Sequence, residues 1–316
     1  MTTVRAFTFP GQGSQAVGMG KALADAYGEA RAVFEQVDEA LGEPLSRLMF
    51  EGPEEELVLT RNAQPALMAV SLAVVRVLET ESGKTISDMA SYVAGHSLGE
   101  YSALAAARAL DIADAAKLLR LRGEAMQSAV PVGEGAMAAL LGVSLEVARE
   151  IAVEGRADGG VCDVANDNAD GQVVISGAKA AVERAVAAAA DKGARKSVML
   201  PVSAPFHCGL MAPAADAMAE ALAITDLRAP MVPLVANVLA DKLVDPSEIR
   251  TRLVEQVTGM VRWRESVLWM ASQGVTDIVE LGAGKVLTGM AKRIDRSLKG
   301  SAIGTPEEIA AFLETV

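Results

Sequence analysis

Residues 95–99 read Gly95-His96-Ser97-Leu98-Gly99, between a short β-prone run (91–94) and an alanine-rich run with helical spacing (98–110). A G-x-S-x-G pentapeptide in that setting is the sequence form of a nucleophile elbow, which demands a sharp strand–turn–helix corner. At such a corner the serine leaves the backbone path at a helix N-terminus. Free N–H groups and the positive end of the helix dipole there face any oxyanion that develops. Glycines flank the corner because a Cβ at either place would run into neighbouring backbone. The same letters also fit an ordinary glycine-bounded turn whose serine caps the helix.

The rest of the chain supplies a frame for the corner. Residues 4–9 read as a strand that stops at Pro10 and opens into the loop Gly11-Gln12-Gly13-Ser14-Gln15. Helical patterns follow over 18–41, 64–79 and 112–128, the last ending before Pro131. Strands alternating with helices imply an α/β layer architecture with a mainly parallel sheet. The rhythm changes after Pro131: strand 136–143, helix 145–154, strands 161–166 and 172–176, helix 179–192, strand 196–200. A βαββαβ order closed within about 70 residues is the ferredoxin-like plan. Gly/Pro-rich joints at 131–135 and 201–205 flank it. The expected fold is therefore an α/β-hydrolase-like large domain (1–131 and 205–316) carrying an inserted ferredoxin-like small domain (132–204). The large domain resumes with strands at 232–236 and 277–281 and ends in helices at 284–299 and 306–315.

A net charge of −12 argues against a nucleic-acid binder, which needs a broad basic face, and against attraction to anionic membranes. Cys162 and Cys208 form neither a disulfide framework nor a metal-ligand spacing, so the chain reads as reduced and intracellular. Met1-Thr2-Thr3-Val4-Arg5 lacks the apolar core of a signal peptide. The uncharged stretch 197–215 is long enough for a membrane span, but its prolines and histidine make a poor one. Cytoplasm is the expected compartment, with no membrane and no nucleic acid as partner.

A serine at its ordinary pKa needs a base within hydrogen-bond reach. The chain has two histidines. His96 precedes Ser97 on the strand, where adjacent side chains point to opposite faces, so it reads as shaping the elbow. His207, in Pro201-Val202-Ser203-Ala204-Pro205-Phe206-His207-Cys208, is the candidate base; a histidine packed at a helix start is the alternative. Asp216, Asp277, Glu280 or a carbonyl oxygen could orient its ring, and the sequence selects none of them. For the oxyanion, the Leu98 N–H follows the nucleophile and the Gly11–Gly13 loop exposes further N–H groups. That loop also fits a G-x-G-x-x-A dinucleotide fingerprint, but no acid closes a second strand about 20 residues later. Gly282-Ala283-Gly284-Lys285 is not a P-loop, because Val279 and Val286 replace the required glycine and hydroxyl. A small domain between Ser97 and His207 places the site in an interdomain cleft, which suits an acyl-enzyme that waits for a second substrate.

The segments Phe9-Pro10-Gly11-Gln12-Gly13-Ser14-Gln15, Gly95-His96-Ser97-Leu98-Gly99-Glu100, Arg122-Gly123, Ala204-Pro205-Phe206-His207 and Gly284-Lys285-Val286-Leu287-Thr288-Gly289 occur in order along most of the chain. Together they resemble the malonyl-CoA:acyl carrier protein transacylase family. The resemblance implies that Ser97, activated by His207, takes malonyl from coenzyme A, and that a carrier-protein phosphopantetheine thiol then takes it from Ser97. It implies no cofactor and a monomer. Arg122 matches an arginine for the malonyl carboxylate, to which a guanidinium fork is suited; taken alone it reads as a surface helix arginine. Gln256 matches the position whose carbonyl orients the histidine, and Gln12 and Leu98 match the oxyanion positions. Phe206 and Leu98 resemble malonyl-selecting members, and Phe206 fills space that a branching methyl needs. Asn166 and Asn168 fall in a matching loop and read as a turn. Ala283 departs from the proline common at its position.

The acyl carrier protein is expected to be acidic. The basic residues Lys285, Lys292, Arg293, Arg296 and Lys299, read as lying along one C-terminal helix, are candidate docking residues, as are Lys192, Arg195 and Lys196. Solvated helix faces explain them equally. A serine hydrolase or thioesterase using Ser97 and His207, and a non-catalytic module binding CoA or nucleotide, are the competing functions.

Overall fold

Short runs rich in Val, Ile, Phe and Ala, bounded by Gly and Pro, form the strands of this chain. A computed structural model describes residues 3–316; Met1 and Thr2 of the N-terminal stretch read above lie outside the described residues. The strands are β1 (Arg5–Phe9), β2 (Tyr92–Gly95), β3 (Gly135–Leu141), β4 (Cys162–Ala169), β5 (Gln172–Ala178), β6 (Lys196–Met199), β7 (Leu234–Val235), β8 (Lys242–Leu243), β9 (Asp277–Leu281) and β10 (Lys299–Ile303). They make a six-stranded sheet in the order β10-β9-β1-β2-β7-β8 and a four-stranded sheet in the order β4-β5-β3-β6.

In the larger sheet β10, β9, β1, β2 and β7 pair in parallel, and β8 returns antiparallel to β7. A parallel sheet must be covered on both faces, and strand alternation supplies both. Phe7, Phe9, Val93, Leu234 and Val279 pack with helices Gly28–Leu41, Thr60–Ser82 and Ile112–Ser128. Ala6, Ala94, Val235 and Ile278 face the other way, onto Trp263, Val267 and Met270 of helix Trp263–Ser272. Helix Thr60–Ser82 is long and apolar enough to cross a membrane, yet 83% of its apolar window is buried inside the fold.

The smaller sheet is antiparallel, with helices Leu145–Gly155 and Lys179–Ala189 between its strands in chain order. Leu140, Ile151, Ile175 and Val182 form its core with those helices. Met137, Ala165 and Val174 on the opposite face meet Leu200, Val202 and Phe206. Strand β4 is tied to the larger unit: Val261 N–H donates to the Ala165 carbonyl (2.9 Å) and Asp167 N–H to the Val261 carbonyl (3.0 Å). Arg264 Nε reaches both carboxylate oxygens of the buried Asp167, at 3.1 and 2.9 Å.

Four expectations are corrected. The helix expected over 18–41 is two, Lys21–Ala26 and Gly28–Leu41, because Tyr27 is extended and Gly28 is a poor helix former. The helix expected over 284–299 stops at Ile294; Asp295 accepts the Ser297 N–H and hydroxyl, and the chain turns back as the edge strand β10. The proposed docking residues therefore do not share one helix: Arg296 lies in that turn and Lys299 opens β10. Asn166 and Asn168 belong to β4, whose register shifts on either side of Asn166–Asp167, and not to a turn.

Candidate active site

The corner after β2 is as tight as its glycines require. A Cβ on Gly95 would fall 1.9 Å from the Gly99 carbonyl carbon, and one on Gly99 would fall 2.3 Å from the Phe9 oxygen. Ser97 is left-handed (φ 54°), and helix Gly99–Ala106 starts two residues later. Asn237 staples the bend: its Oδ1 accepts the Ser97 N–H at 2.8 Å, and its Nδ2 donates to the Gly95 carbonyl at 2.7 Å. A strained serine conformation persists because these contacts over-determine it.

His207, also left-handed (φ 58°), brings Nε2 to 2.7 Å from Ser97 Oγ. Its Nδ1 lies 2.9 Å from the Gln256 carbonyl and 3.2 Å from that of Gly259. Carbonyls only accept, so the proton sits on Nδ1 and Nε2 is left to accept the serine hydroxyl. Burial, with the Arg122 charge second, pushes the His207 pKa down to about 3, so the ring is neutral at pH 7. None of the carboxylate alternatives orients the ring. Asp216 is exposed, Asp277 accepts the Thr276 hydroxyl, and Glu280 accepts the N–H groups of Leu287 and Thr288.

Arg122 is buried, against its surface reading. Gly123 allows this: a Cβ there would lie 2.6 Å from Arg61 Cα, so helices Ile112–Ser128 and Thr60–Ser82 touch backbone to backbone. The guanidinium donates from Nη1 to Gln64 Oε1 (2.8 Å) and from Nη2 to Gln256 Oε1 (2.8 Å) and Ser97 Oγ (3.2 Å). Its Nε is buried without a partner, and among the described residues no carboxylate lies within 4.0 Å of it. The direct partners of this buried cation are all neutral, and the Glu100 carboxylate reaches it only through the Gln256 amide, so donors stay free for an anion beside the serine.

These groups open onto a cleft of about 670 Å³ between the two sheets. Gly11, Gln12, Gln64, Leu98, Arg122 and Phe206 line it from one side; Met137, Asn166, Asn168 and Val174 line it from the other. Among the described residues, neither the Gln12 N–H nor the Leu98 N–H donates to a protein acceptor. The constellation holds a hydroxyl, a neutral imidazole poised to take its proton, two uncommitted N–H groups and an unpaired cation. Such a set can form an ester on Ser97 with an acyl group that carries a negative charge.

Comparison with known proteins agrees with that chemistry. A model of the acyl transferase domain family matches residues 6–303. The malonyl CoA-acyl carrier protein transacylase of Escherichia coli (strain K12) is 48% identical over 309 residues, which cover 98% of each protein. The solved acyl-carrier-protein-S-malonyltransferase of Bartonella henselae is 54% identical, with a TM-score of 0.96 over 99% of both chains. The chain belongs to the malonyl CoA-acyl carrier protein transacylase family. A further solved structure, a malonyl-transacylase in complex with a type II PKS acyl-carrier protein, is 42% identical with a TM-score of 0.95, covering 99% of this chain and 100% of that one.

Within this family member, several site residues escape a reading of the sequence. Gln64 and Asn237 sit on unremarkable helix and loop segments, and only the fold carries them to Arg122 and Ser97. Glu100, next to the pentapeptide, is buried beneath the corner. His96 is not on the strand, which ends at Gly95; it lies in the bend, half-buried on the lining of the cleft, with its Nε2 2.9 Å from Asn168 Oδ1. Cys208 and Cys162 are buried and free, and burial raises both thiols to about 11. The candidate docking residues Lys285, Lys292, Arg293, Arg296 and Lys299 are all exposed, but Lys285 pairs with Glu308. Lys192 is engaged by Glu154 and Glu150.

Proposed function

We infer that this chain is an [acyl-carrier-protein] S-malonyltransferase that works through a malonyl ester on Ser97. Ser97 Oγ attacks the thioester carbon of malonyl-CoA while His207 Nε2 takes the hydroxyl proton. The tetrahedral oxyanion lies against the N–H groups of Leu98 and Gln12. Collapse breaks the C–S bond, and His207 returns its proton to the departing coenzyme A thiol. The phosphopantetheine thiol of acyl carrier protein then repeats the sequence in reverse, giving up its proton to His207 and leaving with the malonyl group.

The observation that carries this reading is Arg122: a buried cation with only neutral partners, 3.2 Å from the nucleophilic oxygen. The free carboxylate of malonyl completes its coordination, whereas an uncharged acyl group leaves it unpaired. The carbonyls of Gln256 and Gly259 orient His207 without adding an anion that would compete for Arg122. Phe206 narrows the cleft against a branched acyl chain, a discrimination of about 1–3 kcal/mol for one methyl.

Two architectural proposals accompany the chemistry. The α/β-hydrolase-like large domain spans 1–131 and 205–316, and the ferredoxin-like small domain spans 132–204, a division supported by the strand order β4-β5-β3-β6 and the two interleaved helices. The exposed cations Lys292, Arg293, Arg296 and Lys299 are docking residues for an acidic carrier protein despite spanning a helix end, a turn and an edge strand. We place the enzyme in the cytoplasm as a monomer, supplying fatty-acid synthesis.

Malonyl-CoA followed by intact mass spectrometry tests the function. A malonyl adduct that is lost in Ser97→Ala and discharged by a phosphopantetheine thiol is expected. Rapid release of free malonate without an acceptor would make the protein a hydrolase, and neither adduct nor turnover would make it a binding module.

A further inference from the structure

Glu100 has no place in the transfer steps, yet its carboxylate is buried as fully as the Arg122 guanidinium. It is 1% exposed, in the first turn of helix Gly99–Ala106. Among the described residues no Lys, Arg or His lies within 4.0 Å of it. Its Oε2 accepts instead from two amides, Gln256 Nε2 at 2.7 Å and the Asn237 N–H at 3.3 Å. Both partners are the residues that hold Ser97: Gln256 Nε2 also donates to the Ser97 carbonyl at 2.9 Å, and Asn237 accepts the Ser97 N–H.

The Gln256 amide thus lies between a buried anion and a buried cation. An ionised carboxylate only accepts and a guanidinium only donates. With Nε2 on Glu100, Oε1 faces Arg122 Nη2 at 2.8 Å. Turned over, the amide would set oxygen against carboxylate and NH2 against guanidinium. Gln64 Oε1 holds the other arm of the fork, so the guanidinium plane is fixed by two amide oxygens.

We propose that Glu100 is a positioning residue that selects the orientation of the Gln256 side-chain amide, thereby fixing the Arg122 guanidinium and setting the preference for a malonyl over an uncharged acyl group. Burial raises the Glu100 carboxyl to about 7, while the Gln256 and Asn237 hydrogen bonds and the Arg122 charge favour its ionised form. A bound malonyl carboxylate takes hydrogen bonds from a fork already aimed at it, and the cost of ordering that fork is met before binding. The inference rests on Arg122 receiving the carboxylate.

The test is Glu100→Gln, which keeps size and shape but offers Gln256 a donor as well as an acceptor. Loading of malonyl and acetyl from their CoA thioesters is followed by intact mass at several concentrations. E100Q is expected to raise the KM for malonyl-CoA on the order of tenfold, with a smaller change in kcat and in acetyl loading. Glu100→Asp, still acceptor-only, should retain the malonyl-to-acetyl ratio even if overall loading falls. In the E100Q/R122A double variant the two losses should not multiply, because Glu100 acts through Arg122. Equal losses of malonyl and acetyl loading in E100Q, or losses that multiply in the double variant, would reduce Glu100 to a structural group. If E100Q does not fold, E100D decides alone, and loss of its malonyl preference overturns the proposal. R122A separates the two levels: a preserved malonyl preference there sinks the carboxylate clamp itself, whereas its loss with an unchanged E100Q sinks only this inference.

Discussion

Removing the Arg122 side chain asks how much of the malonyl preference one buried cation supplies. The guanidinium has five N–H donors. Two are committed to the Gln64 and Gln256 oxygens, one reaches Ser97 Oγ, and Nε is buried without a partner. The remaining Nη1 hydrogen and the Nη2 hydrogen now on Ser97 are the pair that can meet a carboxylate. Hydrogen bonds to charged groups contribute about 1.5–3 kcal/mol each, so their loss together removes about 3–6 kcal/mol of transition-state binding. Arg122→Ala should therefore lower kcat/KM for malonyl loading roughly 10²–10⁴-fold, at about 1.4 kcal/mol per tenfold. Acetyl loading offers no carboxylate and should hold or rise, since a neutral methyl no longer meets an unpaired cation. Rapid-quench loading from each thioester, read by intact mass, measures both rates on one sample. The change in folding stability should be small, because leaving two amide oxygens unpaired is offset by no longer burying a charge. If malonyl and acetyl loading fall by the same factor, Arg122 supports the site without reading the carboxylate, and the reasoning fails.

Other consequences can be checked separately. Gly95→Ala and Gly99→Ala should each abolish soluble, loading-competent protein, or cost about 3 kcal/mol or more in denaturant unfolding, since each new Cβ would overlap backbone; near-native stability would mean the corner can open. Acetyl loading, which does not depend on Glu100, should fall at pH 5.5 far less than the roughly tenfold that a histidine titrating at its ordinary value would impose, because His207 stays neutral down to about 3; a tenfold fall in rapid-quench rates would contradict that burial. His207 also bears on stability. Its folded pKa lies below its unfolded one, so the unfolded chain binds the extra proton, and this contribution is lost as pH falls from 6.5 towards 3. Glu100 acts in the opposite sense, because its pKa is raised to about 7 and stability falls as pH rises from 4.5 to 7. Thermal unfolding of His207→Gln and Glu100→Gln across that range should flatten the respective slopes. Added salt should slow malonyl transfer to an acidic carrier protein more than transfer to a small phosphopantetheine thiol; equal sensitivity would remove the exposed cations from docking.

The parts of this fold that the sequence discloses are those governed by short-range sterics and alternation. Gly95 and Gly99 announce the corner because no other residue fits between Phe9 and Glu100. Strand β9 is legible from its apolar run between turn residues, as are the antiparallel strands and interleaved helices between Gly135 and Met199. Strand β10 is not, because Lys299–Ile303 is a half-exposed edge whose Lys, Gly and Ser carry little strand signal; only pairing with β9 makes it one. The site divides in the same way. Ser97 and His207 follow from the need of one for the other. Arg122 is apolar-faced by no local signal, and its burial depends on Gly123 meeting a helix sixty residues earlier in the chain. Gln256 can be matched to a motif, but its double use, through the carbonyl to His207 and through the amide to Arg122, is a tertiary fact.

The cleft has two walls of different origin. The groups that make and break bonds, with Arg122 and its amides, belong to the elements around the larger sheet. The facing wall comes from the smaller one through Met137, Asn166, Asn168 and Val174. Part of the scope is thus encoded apart from the reacting groups, while Arg122 and Phe206 keep their share of it on the catalytic wall. Enlarging Met137 or Val174 would shorten the acyl groups admitted, and trimming them would lengthen the list, with no reacting group displaced. A lineage, or an engineer, could exchange residues 135–199 for another version of the same sheet and inherit the elbow intact, provided Asp167 still met Arg264 and Asn168 still met His96.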